Sequence, residues 1–565
     1  MAGAFWSRHR AVVEEVLLPR ALAMARSMFG GALDAQREVA EAADMRAPFE
    51  WFPLARLTKR KVTYHGGPTN SGKTYNAIER LKQADPERGG GLFCGPLRLL
   101  ALEIYEQLNS QGVYCSLLTG QDKREVPFAT HASATIEMIN VDQDYDVVVI
   151  DEIQMIADRQ RGSAWTKALL GLSAPEVHVC GGLEAADLVK ELVEEAGDEF
   201  ELRVYERKTA LVPADNCLGD YSNVRPGDAV VAFSRMDIFS IKREIEARTP
   251  YKCCVVYGQL PQETRAQQAK LFNEEGTGYN ILVASDAIGM GLNLNIRRVI
   301  FNSLLKRGDR NTVKRIEPTL LKQIGGRAGR HGRQWEFGEV TCLCQEDMAF
   351  MHEVLASPLE PVSAGGIFPS GEQLQDFADS LEEAGVTGWR EENGGRPKLS
   401  KLMDKFVEVT RVHSRFFVCR YGHLKVVADA IHEVENLTIA ERYLLSMAPI
   451  NVRDVLLLRM IRPFAAAQAR RSPTCVDMLL DPPGARTADQ IMRLCSQHQV
   501  LDLYLWLHNR FPGCFVELDL ANRQKKHLIR AIDAGITSAQ LALNHDHKRR
   551  DAQLRAGLEN GGVIP

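Results

Sequence analysis

The chain has 565 residues, of which 45% are hydrophobic and 25% charged, so it holds enough apolar material for several cores and lacks the signature of wholesale disorder. A formal net charge of -4 excludes a protein that coats nucleic acid by bulk attraction, and any such site must be local. No apolar run approaches the roughly 20 residues needed to cross a bilayer, which argues against a membrane partner. The twelve cysteines show no CxxC zinc-ligand spacing, as expected for free thiols in a reducing compartment.

Residues 1–58 read as a helical segment, with apolar positions at Val12, Val13, Val16, Leu17, Leu22 and Met24. Arg8, Arg10, Arg20 and Arg26 give it the flavour of an organellar presequence, but Glu14 and Glu15 interrupt the pattern, and an amphipathic helix is the simpler reading. Over 59–206, short β-rich runs ("KVTYHGG", "GLFCGP", "DVVVIDE", "EVHVCGG") alternate with helical stretches such as "TYNAIERLKQ", the rhythm of a parallel α/β sheet. A second alternation fills 207–357, from "GDAVVAFS" through "YKCCVVYGQL" and "YNILVASDAIGMGLN" to "RRVIFNSLL" and "GEVTCLC". The β signals then fade. Residues 358–482 are expected to form a helical accessory domain and 483–565 a helical C-terminal domain with a tail, with Thr487 and Gln490 spaced as a capping box. The expected fold class is therefore α/β, two tandem units with helical regions at both ends.

The chemistry begins at "GPTNSGKT", which fits G-x-x-x-x-G-K-[ST] between a strand pattern and a helix. In such a loop the backbone N–H groups of Gly67, Pro68 to Ser71 and Gly72 surround phosphates, the proline lacking its N–H. Thr69 and Asn70 belong to the same cradle. Lys73 would reach the β and γ phosphates, and Thr74 would ligate Mg²⁺, so the expected cofactors are ATP and Mg²⁺. Four apolar residues, Val147 to Ile150, deliver Asp151 and Glu152 to the carboxyl edge of a sheet, where ligands bind. Asp151 is the candidate metal ligand and Glu152 the candidate base for the attacking water. In the second unit, "QIGGRAGR" supplies Arg327 and Arg330, three apart and so on one face if helical, suited to a developing phosphate charge. A small-substrate kinase needs no such second unit.

In this order over two α/β units, "GPTNSGKT", "DEIQ", "ASDAIGMGLN" and "QIGGRAGR" resemble helicase superfamily two, whose core is two RecA-like domains. Longer stretches, among them "VIDEIQMIADRQRGSAWTKALLGL", "YGQLPQETRAQQAKLFN" and "LDLYLWLHNRFP", resemble the mitochondrial degradosome RNA helicases of the suppressor-of-Var family. The resemblance implies an ATP-dependent helicase that moves 3′ to 5′ on RNA, also acts on DNA, and feeds a 3′ to 5′ exoribonuclease in the mitochondrial matrix. A bacterial cytoplasmic relative would read much the same. By resemblance, Arg98, Thr119, Gly120 and Thr135 in the first unit and Ser234, Arg235 and Ser285 in the second contact the strand's phosphate backbone. Asp286 and Gly289 lie near the nucleotide, and Gln323 orients the attacking water. The basic stretch "KRGDRNTVKR", Lys306 to Arg315, looks like a β-hairpin set at the duplex fork, with a solvated loop as the alternative. Trp506 and Phe511 read as core and not as stacking groups.

One departure stands out: Gly182 occupies a position where the family pattern has an acidic residue, which bears on how hydrolysis couples to unwinding. It favours the rival reading, an ATP-gated RNA clamp or scaffold that recruits an exoribonuclease without strong unwinding.

Overall fold

Two parallel sheets carry the two α/β units. The computed structural model describes residues 17–307, 312–329, 334–335, 337–386, 388–390, 395–476 and 484–537. In the first unit, β1 (Lys61–Gly66), β2 (Gly91–Gly95), β3 (Cys115–Leu118), β4 (Lys123–Arg124), β5 (His131–Thr135), β6 (Val147–Ile150), β7 (Glu176–Gly181) and β8 (Glu199–Val204) form one sheet in the order β4-β3-β5-β2-β6-β7-β1-β8. All its pairings are parallel except β3 with β4. Central strands such as β6 are buried along their whole length because helices cover both faces, which is why they read as unbroken apolar runs.

The second unit pairs β9 (Leu211–Pro213), β10 (Asp228–Val231), β11 (Lys252–Val256), β12 (Tyr279–Ala284), β13 (Arg298–Phe301) and β16 (Gly338–Cys342) in the order β11-β12-β10-β13-β16-β9. Between β13 and β16, β14 (Leu305–Arg307) and β15 (Val313–Arg315) form a separate antiparallel ribbon, the hairpin expected at the basic stretch. The residues between its strands, 308–311, lie outside the described residues. Lys306 of the ribbon is paired with Asp286 at 2.7 Å, so the hairpin's base is tied to the loop that follows β12.

Beyond Ser357 the described part of the chain is helical apart from β17 (Gly365–Ile367) and β18 (Phe416–Val418), which pair in parallel. Its helices are Gly371–Glu383, Leu399–Val409, Gly422–Ala430, Ile439–Ser446, Val455–Ala469, Ala488–His508 and Leu518–Thr537. The last but one opens on the anticipated capping box: Gln490 N–H donates to the Thr487 hydroxyl at 3.2 Å, and Thr487 N–H to the Gln490 side chain at 3.1 Å. None of the described helices is long and apolar enough to cross a membrane.

Burial sorts the helical region into two halves. Leu374, Phe377, Leu402, Phe406 and Leu424 share a continuous core with Val62, Val148 and Trp165 of the first unit, with Val39 of the helix Leu18–Ala42 and with Ala43 just past its end. Leu457, Ile461, Leu501, Trp506 and Leu528 instead share a core with Val230, Phe239 and Val255 of the second unit. Each RecA-like unit thus forms a body with its own share of the helical region, and the helix Gly422–Ala430 joins the two, with Leu424 and Ala428 in the first core and Val427 in the second. Trp506 is 5% exposed and Phe511 packs against the same core, as their apolar setting in the sequence suggested.

Candidate active site

The phosphate loop joins β1 to the helix Lys73–Leu81, and its turn is made by Gly72 at φ +86° and Asn70 at φ +62°. At Gly67 a side chain would collide with the Tyr205 carbonyl, so the tight return past the linker requires glycine. Lys73 folds back onto the loop, its Nζ donating to the Gly67 and Pro68 carbonyls at 3.0 and 3.1 Å. The Ser71 hydroxyl is buried and has no hydrogen-bond partner among the described residues. A buried orphan hydroxyl beside a lysine whose hydrogen bonds go to loop carbonyls fits a triphosphate, which supplies both an acceptor and a negative charge.

β6 ends at Asp151, whose Oδ1 accepts from the Thr74 hydroxyl at 3.2 Å, so the two candidate metal ligands stand together. Burial, and then the charge of Glu152, push the Asp151 carboxyl well above the usual carboxylate range, while Lys73 and the Thr74 hydroxyl oppose the shift. The hydroxyl–carboxylate pair is an all-oxygen donor set suited to Mg²⁺. The Trp165 indole holds the Asp151 carbonyl at 3.0 Å. Glu152 follows at φ +53°, a left-handed conformation costly for a non-glycine residue, of the kind found where side-chain direction matters.

Gln154 bridges the base to the next strand: its Nε2 donates to the Glu152 carboxylate and its Oε1 accepts from Gly182 N–H at 3.3 Å. The Tyr64 hydroxyl donates to the Gly182 carbonyl at 2.5 Å. A Cβ on Gly182 would run into the carboxylate of Glu184, so the acid that the motif lacks at 182 enters the same space from two residues on.

The second unit meets this site through the segment after the helix Pro318–Gly325. Arg327 lies beyond that helix, which stops at Gly325, and sits in the turn that follows it. Adjacent glycines at 325 and 326 weaken helix continuation, and Gly329 at φ +68° turns the chain away. The Arg327 guanidinium donates to the Gly289 carbonyl at 2.9 and 2.5 Å. Burial lowers its pKa, and attraction to Glu152 and Asp151 across the cleft opposes that shift. Arg330 lies outside the described residues. Gln323 borders a cleft of about 640 Å³ shared with Ala157 to Gln160 of the first unit.

Sequence reasoning missed the residue that joins the two halves. Arg207, in the linker between the sheets, donates to Thr69 O at 3.1 Å in the phosphate loop, and to Gly326 O at 2.9 Å and Ala328 O at 2.6 Å in the arginine segment. Burial draws its pKa down to about 10. Asn70 adds a bond to Gly329 O at 3.2 Å, and Thr69 one to Gly326 O at 3.2 Å. The adjacent basic pair Arg207 and Lys208 between two α/β patterns was the available signal, and Lys208 lies against Gly72.

The strand-contact candidates lie on the same carboxyl edges. Arg98 Nη1 donates to Gln121 and reaches Asp502 at 3.3 Å. The Thr119 hydroxyl is engaged with Asp122 O and N–H, both at 3.0 Å, and so shapes its loop; the carbonyl of Gly120 accepts from Asn509 at 3.3 Å. Thr135 is buried at the end of β5. Ser234 precedes the helix Arg235–Arg248, and Arg235, Ser285 and Asp286 line a cavity of about 660 Å³. Asp286 therefore faces the cavity and the hairpin lysine, and Gly289 faces Arg327. The cavity's opposite wall is Asn451, Arg453, Arg493 and Ser496 of the helical annex, none of which carries a motif in the sequence.

Residues 48–205 match the DEXQ-box helicase domain of Suv3 and 214–332 the helicase conserved C-terminal domain. The chain is 40% identical to the DExH-box ATP-dependent RNA helicase DExH16, mitochondrial, of Arabidopsis thaliana, over 85% of this chain and 82% of that one. The chain belongs to the Suv3 helicase family. Two further matches are to Suv3 C-terminal domain 1 at 426–469 and to the ATP-dependent RNA helicase SUV3 C-terminal domain at 491–538. It is 42% identical to DExH18, mitochondrial, of Arabidopsis thaliana and 41% to SUPV3L1, mitochondrial, of Homo sapiens, each over 92% of this chain. It spans about 65% of the length of these two relatives. The Gln154 bridge gives the Q of the family's DEXQ box a structural role, since it fixes the direction of Glu152 relative to β7.

Proposed function

We propose that this chain is an ATP-driven RNA helicase that tracks 3′ to 5′, accepts DNA as a second substrate, and supports RNA degradation in mitochondria beside a 3′ to 5′ exoribonuclease. The observation that carries the reading is the pairing of Lys73, Thr74, Asp151 and Glu152 in one body with Arg327 from the other, across a seam that Arg207 bridges. A site divided between two bodies makes its ligand a link between them, so turnover there moves one body against the other.

Thr74 and Asp151 would hold Mg²⁺, which when bound neutralises charge on the phosphates. Lys73 would leave the Gly67 and Pro68 carbonyls for the phosphate oxygens. Glu152, aimed by Gln154, accepts the proton of the attacking water, and Arg327, with Arg330, stabilises the charge that develops on the transferred group. Arg98, Arg235 and Ser285 hold the strand by its backbone, the sequence-blind mode a motor needs. The names of the relatives carry RNA and mitochondria, and both come to this chain by that kinship.

The clamp reading drew its support from Gly182. The Glu184 carboxylate beside that position supports coupling instead. Strand displacement on an RNA duplex with a single-stranded 3′ tail tests the proposal, with a 5′-tailed duplex and Lys73→Ala as controls. Displacement from the 3′ tail that needs ATP and Lys73 is expected. RNA-stimulated ATP turnover with displacement from neither tail would make the chain a clamp.

A further inference from the structure

The helix Ala488–His508 lies over both RecA-like units, and the two ends of its span are held very differently. Met492, Arg493 and Ser496 roof the cavity above Arg235 and Ser285 of the second unit. Ten residues further on, about 15 Å along a helix axis, the same helix reaches the first unit. Toward the second unit it is anchored by a continuous apolar core that includes Leu501, Leu503, Leu505 and Trp506, and by Cys495 against the Tyr257 hydroxyl.

Toward the first unit the contacts are few and mostly polar. Asp502 meets Arg98 at 3.3 Å, and Asn509 donates to the Gly120 carbonyl at 3.3 Å. Arg510, stacked on Trp506, reaches Met138 Sδ at 3.3 Å, and the Trp506 ring edge abuts Gly120. Asp502 also pairs with Lys525 at 3.0 Å, and Lys525 with Glu263 of the second unit at 3.6 Å. Charges therefore alternate from Arg98 through Asp502 and Lys525 to Glu263, across the first body, the annex and the second unit. A ligand's polar groups can replace such contacts one for one, which a packed apolar core does not allow.

We propose that this seam is a side gate through which the protein takes up strands that have no free end, and that Asp502 is its latch. Asp502 holds the guanidinium that the functional reading assigns to a backbone phosphate. A phosphate oxygen replaces the carboxylate at Arg98 when a strand enters, and Asp502 retains Lys525 as its partner, so the roof helix can lift and reset without leaving a buried charge unpaired. The inference rests on the proposed RNA-tracking function.

The test compares a covalently closed single-stranded RNA circle with the linear RNA of the same sequence. In a protein whose exposed Cys475 is replaced by serine, Asp122→Cys and Asn509→Cys are introduced on the two sides of the seam and joined by a short bismaleimide. Before cross-linking the protein should bind circle and linear strand alike; after it, binding of the circle should be lost while the linear strand, which can thread by its end, is still bound. Asp502→Asn should bind RNA more tightly, with a log–log salt slope steeper by about 0.7 for the one cation freed. Binding of the circle that survives cross-linking would overturn the gate, as would an uncross-linked protein that binds the linear strand but not the circle. Weaker binding by Asp502→Asn would overturn the latch, because the carboxylate would then be positioning Arg98 and not competing for it. Failure of the unaltered protein to bind linear RNA would overturn the functional reading itself, and the gate with it.

Discussion

Replacing Arg207 by alanine tests whether the two bodies communicate through the linker. Its bonds to Gly326 O at 2.9 Å and Ala328 O at 2.6 Å cross the seam, and the bond to Thr69 O at 3.1 Å fixes the phosphate loop. Hydrogen bonds from a charged donor contribute about 1.5–3 kcal/mol each, and water entering the vacated space restores part of that. A net loss of about 3 kcal/mol from the closed arrangement follows, and by the relation of 1.4 kcal/mol per tenfold this is on the order of a 10²-fold rise in KM for ATP. Lysine carries the charge on a single point and cannot span Thr69, Gly326 and Ala328 together, so Arg207→Lys should recover only part of the loss. The assay is steady-state ATP turnover against ATP concentration at saturating RNA, with thermal unfolding alongside to show that the fold persists. A KM for Arg207→Ala within about threefold of the parent, in a folded protein, would refute the coupling argument, since even one of these bonds is worth that much.

Glu152→Gln keeps the shape of the base and its partner Gln154 but removes the proton acceptor, and ATP turnover should fall by about 10²–10⁴ while nucleotide binding, read by equilibrium dialysis, persists. Asp198 is the carboxylate under two guanidinium groups, Arg60, which is 1% exposed, and Arg56 at 3.4 Å. Asp198→Ala should therefore cost about 3–5 kcal/mol in denaturant unfolding of the first unit, because it strands a buried charge. His65, hydrogen-bonded to Tyr205 at 2.8 Å and His178 at 2.9 Å, is held neutral by burial and by its neighbours His178 and Arg203, which bring its pKa down to about 4. Its contribution is complete above the unfolded value near 6.5 and is lost as pH falls from there toward 4, since only the unfolded chain takes up the proton in that window. Stability should drop by about 2 kcal/mol between pH 7.5 and 5 on this account, and His65→Gln should flatten the dependence.

The strands that could be read from the sequence are those buried on both faces by apolar side chains, such as Val147 to Ile150. β5 escaped notice although it is interior to the sheet, because "HASAT" meets its burial with hydrogen bonds in place of hydrophobicity. The Ser133 hydroxyl donates to Ala101 O at 2.7 Å, and the His131 ring lies 2.8 Å from Leu81 O. β8 escaped for the opposite reason, being an exposed edge of charged residues. Within the site, contiguous groups such as Gly67 to Thr74 and Asp151 with Glu152 declare their chemistry by spacing alone. Arg207, Asp502 and the cavity wall at Asn451 and Arg493 do not, because their meaning lies in partners far along the chain: 404 positions separate Arg98 from Asp502 and 119 separate Arg207 from Gly326. Arg327 falls outside a helix for a purely local reason, the paired glycines that end the helix before it.

The interleaved cores constrain how the protein can be made. The first body's core is completed by Leu374, Phe377, Leu402, Phe406 and Leu424, which share it with Trp165 and with the N-terminal helix, yet these lie roughly 200 residues beyond the end of β8. At ribosomal rates of about 5–20 residues per second, that core waits on the order of 10–40 s for its last members while the whole second sheet emerges between its two parts. A truncation after residue 357 would therefore remove more than an annex, since it would take away part of the first unit's own core.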